Sequence, residues 1–343
     1  MKRIIDVKPS PDSVKVQTIL VDENDSGQRI DNFLIRRLKG VPKTHIYRLI
    51  RAGQVRVDKG RVKADTRLVR GQSVRIPPVR VSQQSEIKSE QMRHGAHNSV
   101  GFSLPIVFED DGFLVIDKPS GLAVHGGSGV SFGVIEQLRM ARPEAKFLEL
   151  VHRLDRGTSG LLMVAKKRSV LKNLQDQLRS RQTGKTYLAL VKGAWPVKRK
   201  VIDKPLHKFL SPGDGDQPGE RRVRVVGKDD SDGLSAVSLV RVQSTGTSCS
   251  LLEVTIKTGR THQIRVHLCS EGHPILGDEK YGDFELNKQL ARRAVPALKR
   301  MFLHAWRLEL NHPSTGDRQT FTSDLPAELE AFSDWALVAP QLP

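Results

Sequence analysis

The stretch Val151-His152-Arg153-Leu154-Asp155-Arg156-Gly157-Thr158-Ser159-Gly160 constrains this chain more than any other. Apolar runs close on it from both sides, at 147–151 and at 161–165. Such runs around a glycine-punctuated turn predict strand, tight loop, strand. Asp155 would then stand at the edge of a buried sheet. Arg153 and Arg156 flank it, and nearby opposite charge favours the ionised form of a carboxylate. An ionised acid is a poor proton donor but a usable nucleophile or charge stabiliser. A surface Arg–Asp ion pair has the same local pattern, so the stretch alone does not choose between the two.

The rest of the chain narrows the choice. Its 343 residues can hold about two domains with cores of their own. An apolar content of 38% argues for a folded chain over a disordered one. The net charge of +18 points to a polyanionic partner, nucleic acid first. An acidic membrane surface would call for a basic amphipathic helix or a lipid signal, and neither is present. No run approaches a membrane span, and the apolar pair Ile4-Ile5 is too short for a signal peptide. Cys249 and Cys269 have no metal or redox spacing and are expected as reduced, packed thiols of a cytoplasmic protein.

Four segments follow from composition: a polar arm at 1–17, a compact unit at 18–82, a linker at 83–103 without apolar period, and a second domain at 104–343. In the first unit, apolar positions 30, 33, 34 and 38 share a helix face, and Gly40 would stop that helix. A second helix, capped by Thr44 and stopped by Gly53, carries Ile46, Leu49 and Ile50 on one face. Short strands are expected at 55–57, 61–62 and 73–76. Residues 18–82 hold 15 Lys and Arg against 6 Asp and Glu, half of the chain's excess charge. Lys43, Arg48 and Arg51 surround the second helix, and Arg56 and Arg61 lie on the hairpin. That density favours a face that grips RNA phosphates over an ordinary solvated surface.

The second domain opens with a predicted hairpin, 105–109 and 113–117, around Asp110-Asp111-Gly112. Strand-like runs outnumber helical ones, which implies an α+β fold on a largely antiparallel or mixed sheet with flanking helices. A polar insertion is expected over 211–234, around Pro212-Gly213-Asp214. The glycine-rich segment from Lys118 to Gly127 is a weak signal for a phosphate or ribose contact. Tyr187 alternates with Ala189 and Val191, so it shares their face. Thr261 is placed as the cap of a helix through His262 and His267, with Gly272 near its stop. Five residues put the two histidines about 140° apart on such a helix, which speaks against zinc. Arg265 on that helix would need a carboxylate or phosphate partner.

Two resemblances organise these pieces. Arg29-Ile30-Asp31-Asn32-Phe33-Leu34, the run from Ile46 to Val57, and Gly71-Gln72-Ser73-Val74-Arg75-Ile76-Pro77 resemble an S4 RNA-binding domain. His152-Arg153-Leu154-Asp155-Arg156-Gly157-Thr158-Ser159-Gly160, Lys185-Thr186-Tyr187-Leu188-Ala189 and Gly259-Arg260-Thr261-His262-Gln263-Ile264-Arg265-Val266-His267 resemble the RluA-type pseudouridine synthases over about 105–325. Val124-His125-Gly126-Gly127-Ser128-Gly129 and Ser131-Phe132-Gly133-Val134-Ile135-Glu136 are most similar to the RluC type, whose members modify uridines of large-subunit ribosomal RNA.

The resemblance implies a small S4 domain joined to a catalytic domain that isomerises uridine in 23S ribosomal RNA, at more than one site near the peptidyl transferase centre. It implies Asp155 as the essential carboxylate, Tyr187 stacking on the uracil and helping to remove the C5 proton, and Arg265 pairing with Asp155. The isomerisation gains no electrons or group, so no cofactor and no metal is expected. RNA contacts are expected from Lys43, Arg48, Arg51, Arg56, Arg61, Arg153, Arg156, Arg260 and His262. Ribosomal RNA or its precursor particle is the expected partner, and nothing demands more than a monomer. The rival expectations are a non-catalytic RNA-binding or assembly factor, and the same isomerase acting on tRNA or another ribosomal site.

Overall fold

The apolar spacing at 30, 33 and 34 folds as helix α1 (Ile30–Arg37), and that at 46, 49 and 50 as α2 (Lys43–Arg51). Both helices bury those residues in one core with Val55, Leu68, Val74 and Ile76. The computed structural model describes residues 16–38, 41–79, 104–126, 133–196, 198–211, 220–293 and 296–343. Most of the arm, the stop at Gly40, the 83–103 linker, residues 127–132 and the Pro212–Asp216 stretch lie outside the described residues. The chain divides into two compact units, Met1–Ser103 and Leu104–Pro343.

The first unit carries a four-stranded antiparallel sheet in the order β1-β4-β2-β3, from β1 (Gln17–Leu20), β2 (Arg56–Val57), β3 (Gly60–Arg61) and β4 (Ser73–Ile76). Strand β1 was not expected, and Gln17 belongs to it by pairing with Ile76. Thr44 is not a cap: α2 begins one residue earlier, after Pro42 at φ −57°. Proline's fixed φ and missing N–H suit a helix start, so Thr44 falls inside the first turn. The β2–β3 turn places Asp58 and Lys59 at φ 47° and 67°, the mirror-type conformation that matches strand twist. Two of the unit's acids are turned inward. Asp25 is buried against Arg36 and Arg37, and Asp31 against Arg29. Lys43, Arg48, Arg51 and Arg61 stay exposed, so the surface is more basic than the composition.

The second unit is built on a mixed sheet in the order β10-β13-β14-β9-β15-β8-β6-β5. Its strands are β5 (Ile106–Glu109), β6 (Phe113–Lys118), β7 (Glu149–Leu150), β8 (Ser159–Ala165), β9 (Gly184–Lys192), β10 (Arg199–Asp203), β13 (Val237–Thr245), β14 (Cys249–Ile256), β15 (Leu303–Asn311) and β16 (Arg318–Thr322). Strands β7 and β16 pair with β8 and β15 at its sides. Among the described pairs only β8 and β15 run parallel. The predicted hairpin is β5–β6, closed by Asp110 Oδ1 accepting from the Gly112 and Phe113 N–H groups.

The apolar run at 161–165 is continuous because β8 has a core on each face. Leu162 and Val164 join one cluster, Leu161 and Met163 the other. Helices α3 (Val134–Ala141), α4 (Arg168–Arg179), α5 (Gln263–Ser270), α6 (Phe284–Arg292) and α7 (Ala327–Val338) accompany the sheet. No described helix is long and apolar enough to cross a membrane.

Two expectations are corrected here. The 211–234 segment is not all insertion: β12 (Arg221–Val225) pairs with β11 (Leu206–Leu210). Its Arg-rich pattern hides a strand whose single buried anchor is Val223. Cys249 is buried as expected, but Cys269 is exposed, because it lies on the outward side of the last turn of α5.

Candidate active site

Asp155 sits in the loop that joins β7 to β8, where the Thr158 N–H returns to the Asp155 carbonyl at 3.1 Å. A second loop clamps this turn from below. Lys118 is fully buried, and its Nζ donates to the carbonyls of Pro119 and Leu122 at 2.8 Å and of Arg156 at 3.2 Å. Ser120 Oγ donates to the Gly157 carbonyl, and Gly121 exchanges bonds with Arg156 in both directions. The phosphate contact expected of the Lys118 segment is therefore corrected for its lysine. An ammonium whose three N–H donors already meet three carbonyls is not free for a ligand.

The next turn of chain requires glycine. Gly160 has φ +106°, and a Cβ there would stand 2.4 Å from the Ala305 carbonyl of the parallel neighbour β15. The close strand contact and the loop's exit direction thus depend on one residue without a side chain.

The acid's partner comes from 110 residues away. Arg265 Nη1 donates to Asp155 Oδ2 at 3.0 Å. The same guanidinium grips Asp278 with Nε and Nη2, both at 2.8 Å. Asp278 is 1% exposed and also accepts the Lys280 and Tyr281 N–H groups. Burial works against its charge, but the Arg265 bonds outweigh it and hold the carboxyl below its ordinary value. Arg265 is thereby aimed, with one nitrogen left for Asp155. Arg153 and Arg156 are both exposed, and Arg156 Nε is engaged by the Gly121 carbonyl. Neither makes an ion pair with Asp155 among the described residues; its arginine partner is Arg265, as the resemblance implied, and Arg153 lines the cavity around the acid.

Helix α5 starts differently from expectation. Its N-cap is His262, left-handed at φ 52°, and Thr261 makes no cap bond. Gln263 instead accepts from the Arg260 N–H and the Thr258 hydroxyl. His262 therefore precedes the helix. Its Nδ1 is 2.8 Å from the Tyr281 hydroxyl and its Nε2 3.9 Å from Asp155. Burial pushes this ring down to about 4, so it is neutral near pH 7. His267 bonds Ser238 and the Lys204 carbonyl. Among the described residues one possible cation group exists, His207 with Asp230 and Asp232, and none of the three lines the Asp155 cavity.

That cavity has a volume of about 490 Å³, within the range of small-molecule pockets. Tyr187 lies in its wall, 7% exposed, and its hydroxyl is pushed above the ordinary phenol value by burial and by Asp155. Arg153, Arg179, Arg181, Lys185, Lys257, Arg260 and Arg265 line it against a single described carboxylate, Asp155. Such an excess suits a polyanion. Lys185 shares a strand face with Tyr187 and has no acidic partner among the described residues. Burial lowers its ammonium to about 8 and leaves it charged at neutral pH. Its charge is lost as pH rises through that value. Turnover of RNA is expected to fall above about pH 8, and Lys185→Arg to shift that limb beyond the assay range. Identical alkaline limbs in kcat/KM profiles of the two proteins would remove Lys185 from the site.

Comparison with known proteins decides the family. Residues 112–270 match the model of RNA pseudouridylate synthases, and residues 28–74 that of the S4 domain. The chain is 48% identical over 324 residues, 94% of its length, to "Ribosomal large subunit pseudouridine synthase C" of Salmonella typhi, covering 97% of that protein. It is 49% identical over 311 residues to the protein of that name from Escherichia coli strain K12, covering 91% of this chain and 93% of that one. The chain belongs to the RNA pseudouridylate synthase family.

Two solved members of the family have similar folds. "Human RNA Pseudouridylate Synthase Domain Containing 4" shares 26% identity at a TM-score of 0.54, over 74% of this chain and 99% of its own. "Human RNA Pseudouridylate Synthase Domain Containing 1" shares 26% at 0.52, over 65% and 84%. In this pseudouridylate synthase the cavity brings Asp155, Tyr187, Arg265, Arg153, Arg260 and His262 together. Arg156 is exposed on the same loop and is not part of the cavity lining, and Lys43, Arg48, Arg51, Arg56 and Arg61 belong to the S4 unit. Asp278 and Tyr281 were not singled out in the sequence. Their one signal is the glycine-bounded turn Gly277-Asp278-Glu279-Lys280-Tyr281-Gly282.

Proposed function

We propose that this enzyme isomerises uridine to pseudouridine in large-subunit ribosomal RNA, as a cytoplasmic monomer, with Asp155 as its essential carboxylate. The observation that carries the reading is the Asp155–Arg265–Asp278 chain at the floor of a cation-lined cavity. The names of the relatives at 48% and 49% identity support large-subunit RNA as the substrate.

The reaction breaks the N1–C1′ bond of uridine and joins C1′ to C5, whose proton leaves. A base inside folded RNA must first be unstacked, at a cost of about a few kcal/mol. Phosphate contacts by Arg153, Arg156 and Arg260 at the cavity, and by Lys43, Arg48, Arg51, Arg56 and Arg61 of the S4 unit, offset that cost. Asp155 meets the extruded nucleoside with one oxygen tied to Arg265 and the other available. Tyr187 offers its ring face to the uracil. As its hydroxyl stays protonated at neutral pH, Tyr187 positions the base but does not itself accept the C5 proton, which passes to solvent while N1 takes one up. His262, neutral and 3.9 Å from Asp155, belongs with the nucleoside more than with the phosphates.

The test is pseudouridine mapping of total RNA from cells with the gene, without it, and complemented by Asp155→Asn. The expected result is loss of a few modified positions near the peptidyl transferase centre, restored by the parent gene but not by the variant. Losses confined to tRNA would refute the substrate. An unchanged map would favour a binding or assembly factor.

A further inference from the structure

We infer that the S4 unit holds one unpaired nucleobase of the RNA in a pocket against Tyr47, in addition to gripping phosphates; this rests on the RNA-binding role of that unit. The pocket has a volume of about 580 Å³ and lies between α2 and the 61–64 segment. Ile50, Val62 and Ala64 make an apolar floor, and Arg51, Arg61 and Lys63 stand around it. No carboxylate is among its described lining residues. An apolar slot bounded by cations matches a nucleotide: a base for the slot and phosphates for the rim. It does not match an acidic peptide, which would present its charges without a flat apolar body.

Two features show that the pocket is built. The described part of this unit has two aromatic residues, and Phe33 is buried in the core. Tyr47 is 37% exposed, although α2 offers buried positions one turn away. Its hydroxyl donates to Asp31 Oδ2 at 3.2 Å, and Asp31 is fixed in turn by Arg29 and by the Asn32 N–H. The ring is therefore exposed and oriented at once, which is what a stacking platform needs. Arg61 is seated as well. It crosses the face of Gly53, where an added Cβ would stand 2.7 Å from Arg61 Nε. Gly53, at φ +67°, both ends the helix and leaves room for that guanidinium. A single platform accepts one base, and it does not form a track along a single strand.

Stacking and phosphate contact differ in their response to salt. Counterion release makes affinity fall with salt in proportion to the phosphates neutralised, whereas stacking carries no such slope. The experiment measures binding of the full-length protein to a 23S ribosomal RNA transcript and to a fully paired RNA duplex, across a salt series. Tyr47→Ala is expected to weaken transcript binding by about ten-fold or more with an unchanged salt slope, and to leave duplex binding unchanged. Tyr47→Phe is expected to bind within about two-fold of the parent, as the ring remains. Arg61→Ala is expected to lower the slope by about one. Parent affinity in Tyr47→Ala, or equal losses on transcript and duplex, would overturn the base pocket. Failure of the parent protein to bind either RNA with a salt dependence would instead overturn RNA binding by the unit. Thermal melts of each variant, with photo-crosslinking of the parent to locate a nucleotide on Tyr47, separate lost stacking from lost folding. A parent protein that crosslinks at other S4 residues but not at Tyr47 would also count against the pocket.

Discussion

Asp155→Asn is expected to abolish pseudouridine formation, by at least about 1000-fold, while RNA affinity stays within about a few-fold of the parent. The amide keeps the shape of the side chain and can still accept one bond from Arg265 Nη1. It loses the charged oxygen that would act on the nucleoside. The basic residues that line the cavity are untouched, so RNA still docks. The measurement follows from the chemistry. C5 must lose its hydrogen when it bonds to C1′, so RNA carrying 5-tritiated uridine releases tritium in step with turnover. Release at the parent rate from Asp155→Asn would take this carboxylate out of the reaction.

Asp278→Ala is expected to cost about 3–5 kcal/mol of stability in the second unit and most of the activity as well. Removing one partner of a buried pair leaves the other charge uncompensated, and Arg265 is itself buried. The remaining Asp155 contact is single and partly exposed, so it cannot hold the guanidinium in place. Urea unfolding gives the stability, and tritium release gives the activity. A double variant, Arg265→Met with Asp278→Leu, separates the two effects. Apolar replacement of a whole buried pair is often near neutral, so most of the stability should return. Activity should not, because Asp155 has lost its partner. A loss below about 1 kcal/mol in Asp278→Ala would show that the pair does not anchor the site. The pH dependence has a defined sign. The folded Asp278 carboxyl is held below its ordinary value. Its contribution is therefore present above the ordinary Asp value near pH 4 and fades as the pH falls through and below it.

Much of the fold was legible from periodicity. The helix faces at 30/33/34 and 46/49/50, the 105–117 hairpin and the strand at 161–165 each carry a strong apolar pattern. The misses are elements whose stability comes from elsewhere. Strand β1 is almost wholly exposed and exists by pairing with β4. Strand β12 is made of arginine and valine alone, and exists by pairing with β11. The start of α5 was misplaced because the chain turns left-handed at His262, and Gln263, the first helical residue, binds the Thr258 hydroxyl and the Arg260 N–H of the preceding turn in place of a side-chain cap.

The candidate site shows the same division more sharply. Local sequence determined the Asp155 turn, its two flanking strands, the strand that presents Tyr187, and the basic S4 surface. Each of these is set by residues within a few positions of one another. Local spacing offered Arg153 and Arg156 to Asp155, the family resemblance named Arg265, and the tertiary structure is what brings Arg265 within bonding distance. Arg153 and Arg156 are neighbours in sequence but are exposed and make no ion pair with Asp155 among the described residues, whereas Arg265 arrives from a helix 110 residues on. Asp278 likewise has no local signature that separates it from a surface turn acid. It becomes an anchor because folding removes it from water beside a buried guanidinium, where an unpaired charge of either sign would be costly.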